Sequence, residues 1–180
     1  MANDTIAAGI QPSVLERTIQ IDGVLTRYLA AGTGPPLVLL HGAGDNARDW
    51  SWVLPLLGRS HQVLAPDLPG YSPGSTLATD YSPARLARFV ARFTDAVRLD
   101  RAAVAGNSLG GLAALQLALS NPERITALCS VDSAGLLPRG ELAVVPGSPH
   151  NANYSAADHL AELVLVFLRK VPPAPGGQNG

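Results

Sequence analysis

The amino-acid sequence predicts an α/β protein: a mostly parallel sheet with helices on both faces. Three observations carry this. Between residues 37 and 132, short apolar runs alternate with longer stretches of helical periodicity. The runs are apolar at successive positions, not at every second one, as strands covered on both faces are. Joining such strands through helices calls for right-handed crossovers and parallel pairing. At 180 residues and 47% hydrophobic, the chain can bury one core of ordinary size.

The elements follow in order. ERTIQIDGVLTRYLAAG (16–32) has partial alternation on either side of an Asp22-Gly23 pair and reads as a hairpin of two half-exposed strands. PPLVLLHG brings the first covered strand, Leu37 to Leu40. In DNARDWSWVLPLLG, Trp50, Val53, Leu54 and Leu57 recur three and four apart and predict a helix, which Pro55 should bend or end early. HQVLAPDL (61–68) is the second covered strand, and LPGYSPGSTLATDYS a loop dense in Gly, Pro and Ser. Ser82-Pro83 suit the cap and first position of a helix whose apolar stripe is Leu86, Phe89, Val90, Phe93 and Val97, with Arg85, Arg88, Arg92 and Arg98 off it. AAVAGN (102–107) is the third covered strand, and LGGLAALQLALSNPER a second long helix ended by Asn121-Pro122. ITALCSVDS (125–133) is the fourth. Beyond Asp132 the pattern weakens until SAADHLAELVLVFLRKV, which reads as a helix capped by Ser155 with Asp158 as capping-box partner. The apolar run Leu163 to Leu168 inside it leaves a strand open as an alternative. PPAPGGQNG is too rich in Pro and Gly to pack, and a disordered tail is expected there.

Charge and composition narrow the function. Thirteen basic and fourteen acidic residues give a net charge of -1, and no basic block offers a footprint for nucleic acid or an anionic membrane surface. The expected partner is a small molecule. Cys129 is the only cysteine, so neither a disulfide framework nor a Cys-rich metal site can be built. The N-terminus lacks the basic start and apolar region of a secretory signal, and the longest apolar run falls far below the roughly 20 residues that cross a bilayer. A cytoplasmic protein without a transmembrane helix is expected.

GNSLGG, residues 106 to 111, fits GxSxG between a predicted strand and a predicted helix. In that context Ser108 sits at the apex of a sharp strand-to-helix turn, and Gly106 and Gly110 let the two segments pass closely. The amide of Leu109 lies at a helix N-terminus, where it can stabilise a developing oxyanion. His41-Gly42-Ala43-Gly44 follows the first covered strand, so it emerges at the same carboxyl edge and can present the amide of Ala43 to the same place. Ala43 and Leu109 together would form an oxyanion hole. His41, adjacent to its strand end, is poorly placed as a base for Ser108 and is expected to shape the turn instead.

LVLLHGAGDNARDW, VLAPDLPGYS, VAGNSLGG and SVDSAGLLP, in this order, resemble the α/β-hydrolase fold family over roughly residues 16 to 138. The wording of GNSLGG is similar to the serine hydrolase branch, above all to meta-cleavage-product C–C hydrolases and carboxylesterase-like members. The resemblance implies a hydrolase acting by acyl transfer at Ser108 on an ester, or on a C–C bond next to a carbonyl, with no metal and no organic cofactor. It implies a structural role for Asp67. Where the family usually has a further glycine, Gly70-Tyr71 is followed here by Ser72, Pro73, Gly74 and Ser75, so a reshaped loop is expected. The resemblance divides the chain into an N-terminal extension (1–15), the N-terminal part of the hydrolase core (16–138), the start of a lid or cap (139–171) and the tail (172–180).

A serine hydroxyl needs a base, and in this fold the chain order is Ser, then Asp or Glu, then His. The resemblance implies that acid and histidine follow two further core strands, which the sequence does not contain, so the chain is expected to be truncated. Asp132, at the end of the fourth covered strand, stands where some members place their acid, though a structural turn is the ordinary reading. His150 and His159 could fold over Ser108 as part of a lid, or be merely solvated or packed. His61 begins a strand, at the wrong edge. The alternative to an active enzyme is therefore a truncated or degenerate hydrolase without turnover, at most binding a small ligand or a partner. An uncovered sheet edge would also invite self-association.

Overall fold

A computed structural model of the chain describes residues 12–72, 81–132 and 156–170. It contains a six-stranded sheet: β1 (Leu15–Ile21), β2 (Val24–Ala31), β3 (Pro36–Leu40), β4 (Gln62–Pro66), β5 (Ala102–Asn107) and β6 (Ile125–Val131). The spatial order is β1-β2-β4-β3-β5-β6. β1 with β2 and β2 with β4 are antiparallel, whereas β3 with β4, β3 with β5 and β5 with β6 are parallel. The helices are α1 (Leu54–Leu57), α2 (Pro83–Ala96), α3 (Leu109–Ser120) and α4 (Ala157–Lys170).

The hairpin turns where the sequence predicts. Ile21 pairs with Val24, leaving Asp22 and Gly23 as a two-residue loop with φ of +49° and +82°. Two positive φ values in such a loop match the right-handed twist of the flanking strands, and an Asp-Gly pair reaches them at little cost. The hairpin is not evenly half-exposed: β1 is mostly exposed, while Thr26 to Leu29 of β2 are buried because β2 lies between β1 and β4.

β3 explains the unbroken apolar runs. Leu37 and Leu39 join one buried cluster and Val38 and Leu40 the other, and all four are 0–1% exposed. One cluster is covered by Trp50, α1 and α4, the other by α2 and α3. β6 differs from the covered strand that its sequence predicts. Only Ala127 is buried on it, since β6 is the outermost strand of the sheet among the described residues. Cys129 on β6 is half-buried, and burial raises its thiol pKa to about 11.

Pro55 opens a helix instead of ending one. A 3-10 turn at Ala47–Trp50 is followed by α1, in which Pro55 sits in the first turn, where a missing N–H costs nothing. Trp50, Val53, Leu54 and Leu57 are all at most 1% exposed, so the apolar spacing marks the buried face although the helix is broken. α2 begins as predicted, with Ser82 Oγ accepting the Arg85 N–H at 3.4 Å. Residues 157–170 are helical, which settles the strand alternative at Leu163 to Leu168. Ser155, His150 and the tail 172–180 lie outside the described residues. No helix among the described residues is long and apolar enough to cross a membrane.

Candidate active site

Parallel strands β3, β4 and β5 end together, bringing His41, Asp67 and Ser108 to one edge of the sheet. Ser108 occupies the turn between β5 and α3 with φ +49° and ψ -111°, a backbone conformation that an L side chain rarely adopts. Its amide donates to Val131 O on β6 at 2.9 Å, and its carbonyl accepts from Leu112 N at 3.1 Å. The turn is therefore held from both sides, which is what keeps a strained residue in place.

The flanking glycines are required by contact. A Cβ on Gly106 would stand 2.3 Å from Gly110 O, and one on Gly110 would stand 2.3 Å from Leu40 O and 2.7 Å from His41 O. α3 thus presses against both the strand that feeds it and the end of β3. Ser108 is half-buried and its hydroxyl makes no hydrogen bond to the described residues. A Cβ on Gly42 would lie 3.5 Å from Ser108 Cβ and 3.4 Å from Asn107 Nδ2, so the 41–44 loop directly abuts the serine. Neither Ala43 N–H nor Leu109 N–H donates to another group among the described residues. Ala43 is exposed and Leu109 half-buried. The Asn107 side chain is almost fully buried beside this loop, with Oδ1 unpartnered.

His41 is occupied as a brace. Its ring is wholly buried; Leu68 N–H donates to Nε2 at 2.8 Å, and Nδ1 lies 2.8 Å from Gly42 O. Because Nε2 accepts, the ring proton sits on Nδ1 and donates to Gly42 O. Desolvation by burial lowers the pKa of His41, partly offset by the Gly42 carbonyl, so the ring stays neutral. Tyr71 stacks edge-on against it at 5.1 Å, and its hydroxyl accepts from Gly44 N at 3.4 Å. The loop that carries Ala43 is thereby clamped to the loop after β4.

Asp67 is structural, as expected. Fully buried, it takes Arg27 Nε at 2.9 Å and Arg27 Nη2 at 3.2 Å on its two oxygens, and Ala47 N at 2.8 Å. Arg27 in turn donates to Asn46 Oδ1 at 3.1 Å, and its amide to Ser72 Oγ at 3.2 Å. Three chain segments meet on one buried ion pair. Sequence reasoning missed Arg27, which sits in a strand read as half-exposed and is 7% exposed. It also missed the capping box at Asn46 and Asp49, whose spacing was legible.

The remaining candidates scatter. Asp132 directly follows Val131, the residue that takes the Ser108 amide, and has φ +47°. His61 lies at the start of β4, at the opposite edge, 3.0 Å from Ser60 Oγ, and burial lowers its pKa. His159 is exposed on α4. Among the described residues no imidazole is hydrogen-bonded to Ser108, and no group of three or more His, Cys, Asp or Glu could hold a metal.

The sequence profile of the alpha/beta hydrolase fold matches residues 35–168. A 2-hydroxy-6-oxo-6-(2'-aminophenyl)hexa-2,4-dienoic acid hydrolase of Metapseudomonas resinovorans is 33% identical over 74% of this chain and 48% of its own length. A pimeloyl-[acyl-carrier protein] methyl ester esterase of Aeromonas hydrophila is 45% identical over 57% of this chain and 39% of its own. This chain therefore spans about half, or less, of the curated relatives it matches. A meta-cleavage product hydrolase of Pseudomonas fluorescens superposes with a TM-score of 0.61 at 30% identity, over 66% of this chain and 45% of that one. A predicted CIB-like hydrolase of Thermoplasma acidophilum superposes with a TM-score of 0.81 over 89% of this chain and 100% of that one, and at 18% identity it speaks for the fold alone. The matched profile, the strand order and the serine turn agree that this chain belongs to the alpha/beta hydrolase fold family.

Proposed function

We propose that Ser108 is the nucleophile of a serine hydrolase that cleaves an ester, or a C–C bond next to a carbonyl, by acyl transfer. The observation that carries this reading is the strained turn: Ser108 at φ +49°, half-exposed, with a hydroxyl and two nearby amides that make no hydrogen bond among the described residues. In this reading Ser108 Oγ attacks the carbonyl carbon of a small-molecule substrate. The carbonyl oxygen becomes an oxyanion and is held by the N–H groups of Ala43 and Leu109, the latter at the positive end of α3. Collapse breaks the bond to the leaving group, which departs with the proton given up by Ser108, and leaves an acyl group on Ser108; water then adds to the acyl carbon, restoring the Ser108 hydroxyl and releasing a carboxylic acid. The relatives named as a dienoic acid hydrolase and a methyl ester esterase support this choice of bonds.

A second reading rests on the hydroxyl of Ser108, to which no imidazole is hydrogen-bonded among the described residues; both ring nitrogens of nearby His41 are engaged elsewhere. In that reading the chain keeps the hydrolase fold and binds a small ligand without turnover. A fluorophosphonate probe and a p-nitrophenyl ester distinguish the two. The first reading expects labelling at Ser108 and ester turnover that falls at least about a thousandfold in Ser108→Ala. Folded, monodisperse protein that neither labels nor turns over ester would refute it and favour the second.

A further inference from the structure

A cavity of about 300 Å3 opens at the opposite edge of the sheet from Ser108, between β1–β2–β4 and the end of α2. Its origin lies in the register. Directly opposed residues of an antiparallel pair share a face, so Leu15, Arg17 and Ile19 lie beside Ala30, Tyr28 and Thr26. α2 covers the part of this face around Tyr28, whose ring meets Phe93 edge-on at 5.5 Å. The helix stops at Ala96, and beyond it Val97 and Arg98 roof the sheet among the described residues. Gln62, the first residue of β4, lines the floor, which places the cavity a strand length away from Asp67 and the serine.

The lining is chemically one-sided. Arg17 and Arg98 reach it from different elements, and no Asp or Glu lines it among the described residues. Among the described residues neither arginine makes an ion pair, and the Tyr28 hydroxyl makes no hydrogen bond. The same lining holds apolar side chains, Ala30 and Leu64 on the sheet and Val97 on the roof. Arg98 adds a second, independent sign. It follows the C-cap of α2 with φ +60°, where glycine is the residue without strain. A strained position that keeps a long cationic side chain over a cavity points to use of that side chain.

We propose that this cavity binds a small organic monocarboxylate with a short apolar tail. The carboxylate sits between the guanidinium groups of Arg17 and Arg98, whose forked donors match two carboxylate oxygens. The tail lies on Leu64, Ala30 and the ring of Tyr28. The volume is at the small end of ligand sites, which limits the tail to a few carbons. A carboxylate with a hydrocarbon tail suits the place better than phosphate, because Ala30, Leu64 and Val97 offer apolar surface that phosphate cannot cover. Occupancy leaves the serine edge free, so the site is separate from the one proposed for Ser108.

Hexanoate, hexan-1-ol and inorganic phosphate, titrated separately into the isotopically labelled full chain and followed by amide NMR, test this. Hexanoate should shift amides of residues 15–19, 28–32 and 96–98 saturably at millimolar concentration and leave 106–111 in place. Hexan-1-ol, phosphate, Arg17→Gln and Arg98→Gly should each weaken the effect at least about tenfold, the loss expected for a charge-assisted contact. Arg98→Gly should also raise the melting temperature by removing the strained residue, which separates lost binding from lost folding. The proposal is overturned if hexanoate gives no saturable shift, if Arg98→Gly binds it as well as the parent chain, or if phosphate or hexan-1-ol binds equally tightly.

Discussion

Replacing Ser108 by alanine and by glycine measures the strain stored in the turn after β5. Alanine removes the hydroxyl but keeps Cβ, so it inherits φ +49° and ψ -111° with their cost. Glycine removes both. A non-glycine residue in such a region costs of order 1–3 kcal/mol, whereas glycine loses about 0.5–1 kcal/mol of extra chain entropy on folding. The difference leaves Ser108→Gly more stable than Ser108→Ala by about 1 kcal/mol. No lost hydrogen bond confounds the comparison, since the Ser108 side chain makes none among the described residues and its amide bond to Val131 O is kept by both variants. Urea unfolding at neutral pH, with the slope checked for constancy, reads the difference directly. A glycine variant equal to or less stable than the alanine variant would show that the turn is not strained, and the main support for a specialised serine would be gone.

Three further outcomes follow from the geometry around it. Gly110→Ala should cost about 3 kcal/mol, because its Cβ would meet the backbone oxygens of Leu40 and His41, which cannot rotate away; Gly44→Ala, with φ +82° and nothing within 4 Å, should cost only about 1. Equal midpoints for the two variants in urea would contradict the close packing of α3 on β3. Asp67→Asn strands the buried Arg27 guanidinium and should destabilise by about 3–5 kcal/mol, whereas removing the exposed partner in Glu16→Gln, opposite Arg48, should change the midpoint little. For His41 the lowered pKa sets the sign: the unfolded ring takes up a proton near its ordinary value of 6.5 while the buried ring resists. Stability is therefore complete above pH 6.5 and falls on acidification towards the folded pKa, by up to about 1.4 kcal/mol per pH unit. His41→Gln should flatten that slope between pH 6.5 and 5, and an unchanged slope would assign the dependence elsewhere.

The sequence was most informative where one local rule decided the outcome. Asp22-Gly23 required a two-residue hairpin loop, Ser82-Pro83 required a helix start, and the continuous run Leu37 to Leu40 required cover on two sides. It was least informative where partners far apart in the chain decide. β6 has the composition of a covered strand, yet its burial depends on which strand lies next to it, a property of the sheet and not of ITALCSV. Pro55 carries opposite meanings in the first turn of a helix and in its middle, and only the break at residues 51–53 selects between them. At the site, the GNSLGG turn was legible because Gly106 and Gly110 are demanded by backbone contacts, and the 41–44 loop because Gly44 holds a φ of +82°. Arg27 was not, since an arginine in an alternating strand signals solvent until a buried carboxylate is known to face it.

The position of Cys129 gives β6 a chemical clock. Thiol reagents attack the thiolate, and with a pKa of about 11 only roughly one Cys129 in a thousand is ionised at pH 8 in the folded chain. When β6 leaves the sheet the sulfur meets water, its pKa returns to the ordinary range, and a chromogenic disulfide reacts at once. The same departure cuts the bond from Val131 O to the Ser108 amide. Colour release from one native thiol thus times how often the serine turn loses its outer anchor, with no label to introduce and no second cysteine to interfere.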